Sequence, residues 1–173
     1  MLVWVAPGSV LGAMPSTGTA LGVQGGGSGW PVGNPTLRWR PSPSQALDFT
    51  PSFSYSCGPS SNYEYSYRFE ACWVRTVRTD QMLLVGLRIA PGYSRYVSRY
   101  YRQRTCRYSI DICVGPDLEY FLPILPRLSV GITGVVRIHY TARDLYSSGA
   151  LYATSYGWDM DILGQWLTVR YYF

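Results

Sequence analysis

Strict alternation of apolar and polar side chains constrains this chain more than any other feature. From Gln45 to Cys57, Leu47, Phe49, Pro51, Phe53 and Tyr55 share one face, and Asp48, Thr50, Ser52, Ser54 and Ser56 share the other. From Tyr63 to Arg78, the apolar set Tyr63, Tyr65, Tyr67, Phe69, Ala71 and Trp73 opposes Glu64, Ser66, Arg68, Glu70 and Cys72. Side chains of a strand point alternately to its two faces, whereas a helix would need a 3.6-residue period. The same pattern predicts strands over Met82–Tyr93, Arg107–Leu122, Arg127–Thr141 and Ile162–Phe173. Shorter strands are predicted over Asn34–Arg40 and about Thr17–Gln24.

The connections alternate in length. Tight ones fall at residues 41–44, around Thr79-Asp80 and at residues 123–126. Longer ones fall at residues 25–33, 58–62, 94–106 and 142–161. Short turns at one end and long loops at the other are the layout of an all-β, antiparallel up-and-down transmembrane β-barrel of about eight strands. Residues 17–173 are assigned to the barrel. Residues 1–16 are read as an uncharged leader, because no basic stretch precedes the apolar run Met1–Ala13 as it would in an intact secretory signal.

No run of 18 or more apolar residues occurs, so a transmembrane helix is excluded. Only 14% of residues are charged, yet many sit at strand centres on the polar faces. These are Asp48, Glu64, Arg68, Glu70, Arg88, Asp111, Glu119, Arg137 and Arg170. A soluble sandwich or ligand-carrying barrel would turn them to water. Turned inward they need partners, because an unpaired buried charge is costly. Register supplies partners: the 41–44 turn puts Arg38 opposite Asp48, the next brings Arg88 diagonal to Glu70, and the third brings Asp111 near Arg137 and His139. The expectation is a narrow lumen filled by a charge network of these residues. Tyr and Trp near strand ends, such as Trp39, Tyr93, Tyr108, Tyr140 and Tyr171, suit the aromatic girdles of a lipid-facing exterior.

All 15 Lys-plus-Arg residues are Arg, and the net charge is +5. Arg favours bidentate pairing with carboxylates and phosphates. In the segment 94–104, Arg95, Arg99, Arg102 and Arg104 interleave with Tyr, a pattern suited to phosphate contact; in this topology that means surface lipid rather than nucleic acid. The four Cys form no C-x-x-C pair and His139 is the only His, so no zinc site, other metal or cofactor is expected. Free thiols are favoured over a Cys57–Cys106 staple.

At this point the chain resembles the small eight-stranded outer-membrane barrel proteins of Gram-negative bacteria, in the style of the membrane domain of outer membrane protein A. The segment Gln165-Trp166-Leu167-Thr168-Val169-Arg170-Tyr171-Tyr172-Phe173 is similar to the C-terminal assembly signal of that family, carried here by Val169, Tyr171 and Phe173. The segments 33–39 and 114–122 share its flavour. The resemblance implies outer-membrane lipids, lipopolysaccharide, the barrel assembly machinery and other envelope proteins as partners. It leaves function open among envelope structure, surface interaction, small pores and lipid modification. The enzymatic alternative rests on His139 in Arg137-Ile138-His139-Tyr140-Thr141, which faintly resembles the His-x-Ser piece of lipid A deacylases. Thr141 replaces the Ser and His139 falls on the lumenal face, so a non-enzymatic role is expected, with His139 hydrogen-bonded near Asp111.

Overall fold

A computed structural model describes residues 17–25, 34–58, 62–80 and 82–173, apart from the side chains of 163–166. The leader and most of the first long connection lie outside the described residues. The eight strands are β1 (Gly18–Gly25), β2 (Asn34–Ser42), β3 (Gln45–Cys57), β4 (Tyr63–Thr79), β5 (Leu83–Tyr100), β6 (Gln103–Leu122), β7 (Leu125–Ser147) and β8 (Ala150–Tyr172). Each pairs antiparallel with the next, and β8 closes on β1 to make a barrel. Closure removes the open edges that a flat sheet would leave.

The all-β up-and-down barrel and its eight strands match the sequence reading, but two long loops do not exist. Residues 94–106 are the upper ends of β5 and β6 around a two-residue turn, and residues 142–161 are those of β7 and β8. Tyr101 at φ 54° makes the first turn; Ser148 at φ 52° and Gly149 at φ 88° make the second. In the second, positive φ at both central residues gives the mirror-image turn that matches strand twist; in the first, only Tyr101 is positive. The barrel wall is therefore oblique: β1 and β2 have 8 and 9 residues, β7 and β8 have 23 each. Both the wall's lower turns and Phe173 lie at one end; the tall hairpins form the other.

Close packing across the wall depends on two small residues. A methyl on Gly115 would overlap the Gly134 carbonyl of β7, beside Pro116, which lacks an N–H for the ladder. A methyl on Gly22 would overlap the Val169 carbonyl and the Arg170 stem. Gly22 thus lets Arg170 cross the inner wall.

Candidate functional site

The inner face holds one continuous column of charge. Its centre is Arg38 on β2, fully buried. Its guanidinium donates to both oxygens of Asp48, Nε to Oδ1 at 2.5 Å and Nη2 to Oδ2 at 2.6 Å. These residues are direct cross-strand partners. The same guanidinium crosses the lumen to β6, giving Nη1 to Glu119 Oε2 at 2.7 Å and Nη2 to Asp117 Oδ2 at 3.1 Å. Glu119 also accepts from Arg40 at 3.1 Å, Ser129 at 2.6 Å and the Tyr172 hydroxyl at 2.8 Å. Arg170 lies 3.3 Å from Asp48 and 3.6 Å from Glu119.

The column continues upward through Thr133, which donates to Asp117 at 3.0 Å and accepts from Arg88 at 3.3 Å. Arg88 pairs with Glu70 at 2.8 Å, the expected pair, but across a longer offset: Arg88 registers with Val74 and Glu70 with Gly92, and the long guanidinium side chain spans the difference. Arg68 joins Glu70 at 3.1 Å to Asp111 at 2.5 Å, and Arg137 reaches Asp111 at 3.5 Å. Side chains from β2 to β8 take part. Within a narrow, low-dielectric lumen such multidentate pairing offsets the cost of desolvation, and removing one member leaves an uncompensated charge.

Two placements correct the sequence reading. His139 registers opposite Asp111, but its ring lies 3.9 Å from Asp159 and 3.7 Å from Asp161. Those aspartates belong to the upper part of β8, within the segment 142–161 where the sequence predicts a loop. Glu64 is exposed at the upper rim, away from the column. Arg40, Asp117 and Tyr172 are column members that the predicted network omitted. Their signal was parity: each sits on the same alternating face as a residue that was included.

Glu70, Asp111 and Cys113 each bring a possible ligand atom within 4.8 Å of the others. Arg68, Arg88 and Arg137 already converge on the two carboxylates, so a cation would enter against like charge. All four Cys are free; Cys57 is exposed, and Cys72, Cys106 and Cys113 are buried.

The outer face is stratified. Across β4, β5, β6 and β7, cross-strand rows read Trp73–Ile89–Val114–Val136, then Phe69–Tyr93–Ile110–Tyr140 higher up. Next comes Tyr67–Arg95–Tyr108–Ala142, and above it Tyr63–Arg99–Arg104–Tyr146. Of the four predicted phosphate-contact residues, only Arg102 lies in a turn; Arg95, Arg99 and Arg104 project outward from strands. Arg95 stacks 5.1 Å over the Tyr108 ring, and Arg104 lies 5.9 Å over Tyr146. Val97 and Cys106 lie on the intervening outward row, yet both are buried beneath this layer of long side chains. At the lower end Val169, Tyr171 and Phe173 all face out, with the last two rings 5.7 Å apart. No protein-family model, curated protein or solved structure matches the chain, and its function is read from the two faces of the barrel.

Proposed function

We propose that this chain is an integral outer-membrane β-barrel in the style of the outer membrane protein A domain. Its lumen is sealed, and its role is structural or interactive through the tall hairpins. The observation that carries the reading is the inversion of the two faces. Arg38 and Glu119 are 0% and 1% exposed, while Ile112 and Leu167 on the outside are 51% and 53% exposed. Comparable apolar side chains face outward on every strand, from Leu21 and Val23 on β1 to Val169 on β8. A monomeric soluble protein does not expose a continuous apolar belt of this extent, and a lipid-facing barrel requires one.

The dimensions agree. On β6 the outward residues between Tyr108 and Tyr120 are Ile110, Ile112, Val114, Pro116 and Leu118. That interval, at about 3.3 Å per residue and ~40° tilt, rises roughly 30 Å, near the height of an outer-membrane apolar band with its two girdles. The charge column fills the lumen instead of lining a channel. The outward Val169, Tyr171 and Phe173 suit recognition by the barrel assembly machinery, and the Arg–Tyr layer suits contact with surface lipids or other envelope proteins. The test is purification with and without detergent. The protein should require detergent and migrate differently on a gel before and after boiling; a monodisperse folded protein in plain buffer would rule out the reading.

A further inference from the structure

We propose that the outer face of β2–β6 is a binding site for a single anionic, phosphate-bearing acyl lipid. Its headgroup rests on Arg95, Arg99 and Arg104, and one acyl chain lies in a groove over Ala71. The proposal rests on the membrane reading above and deepens it.

Two observations point to an anion. Arg99 and Arg104 are direct cross-strand partners on the same outward face. Like charges so placed destabilise a sheet unless something of opposite sign bridges them. Among the described residues, neither these two nor Arg95 has a carboxylate within ion-pair distance. Arg95 is the cross-strand partner of Tyr67 and stacks 5.1 Å over the Tyr108 ring, and its buried Nε has no hydrogen-bond partner. Guanidiniums presented this way are matched to phosphate oxygens.

An independent observation points to an acyl chain. An open groove of about 490 Å³ lies on the outside of the barrel across β2–β5, walled by Trp39, Phe49, Trp73, Ile89 and Pro91, with Ala71 as its floor. Ala71 registers with Phe49 and is flanked along its strand by Phe69 and Trp73, so one small side chain makes the notch. The lining is almost wholly apolar. From Ala71 the outward face climbs past Phe69 and Tyr93 to the Tyr67–Arg95 pair, four residues or about 13 Å along the strand. A chain seated in the groove therefore delivers its headgroup to the arginines. Free phosphate would use the arginines alone; only a lipid uses both.

The test uses the full chain in detergent, read by native mass spectrometry with three probes: diphosphoryl lipid A, phosphatidylcholine and inorganic phosphate. Lipid A should be retained over phosphatidylcholine, and inorganic phosphate at equal concentration should not displace it. The triple variant R95Q/R99Q/R104Q should bind lipid A at least about tenfold more weakly, as expected from losing charged hydrogen bonds. The triple Arg→Lys variant, which keeps the charge but loses the guanidinium fork, should bind more tightly than the triple Gln variant and more weakly than the native protein, and Ala71→Trp should weaken binding with the arginines intact. All variants should retain heat-modifiable migration, since the altered side chains lie on the outer face. Equal retention of lipid A and phosphatidylcholine, displacement by inorganic phosphate, or an unchanged triple Gln variant would overturn the site. Failure of the membrane reading is a separate result: a folded protein that stays monodisperse without detergent, before lipid is added.

Discussion

Replacing Arg38 by Met perturbs the column at its most connected point. Around Arg38 the lower lumen sets three guanidiniums (Arg38, Arg40 and Arg170) against three carboxylates, Asp48, Asp117 and Glu119. Losing Arg38 leaves two cations facing three anions. Asp48 keeps Arg170, and Glu119 keeps Arg40, Ser129 and Tyr172. Asp117 loses its direct guanidinium contact and keeps the Thr133 hydroxyl. An uncompensated buried charge costs about 3–5 kcal/mol, or roughly 10²–10⁴ in the folding equilibrium. Arg38→Met combined with Asp117→Leu restores two against two, so the double variant should recover at least half of that loss. Urea unfolding of vesicle-reconstituted protein, followed by Trp fluorescence, measures both. A single variant within about 0.5 kcal/mol of the native protein, or a double variant no better than the single, would refute the reasoning.

Three further outcomes follow from other parts of the barrel. Gly115→Ala should destabilise the barrel by about 1–3 kcal/mol in the same unfolding assay, because its methyl meets the Gly134 carbonyl backbone instead of a movable side chain. Brief alkylation of the folded protein should label Cys57 alone, and unfolding should expose Cys72, Cys106 and Cys113, as counted by intact mass. Planar-bilayer recordings should find no large, steady conductance; replacing Arg38, Arg40 and Glu119 together by Ala should open a small one.

The lower two-thirds of the fold was legible because its outer face is apolar and its inner face polar, so hydropathy alternates with the backbone. Higher on β5–β8 the outer face turns to Tyr and Arg, as at Arg95, Arg99 and Arg104. Alternation in shape persists there while alternation in hydropathy ends, and the segments read as loops. On β8 a register shift between β7 residues Val135 and Val136 adds to this. Outward residues are odd-numbered below it, as at Leu167 and Val169. They are even-numbered above it, as at Met160 and Trp158. One extra residue thus broke the pattern and hid Asp159 and Asp161, the partners of His139. In the lumen, Arg38–Asp48 was legible because a tight turn fixes register between adjacent strands, whereas Arg88–Glu70 forms across a four-residue offset that the reach of the arginine spans. Arg38–Glu119 and Arg38–Asp117 were not, because contacts across the barrel depend on its diameter and closure, which no local pattern encodes.

The central claim is that the outward apolar belt faces acyl chains while the charge column is sealed inside. Spin labels placed singly along residues 110–114 of β6 in a lipid bilayer test it most directly. Collision with membrane-dissolved oxygen should be high at Ile110, Ile112 and Val114 and low at Asp111 and Cys113, with little access for a water-soluble nickel reagent at the three outward sites. Free access of the nickel reagent to the outward sites would place them in water and contradict the account.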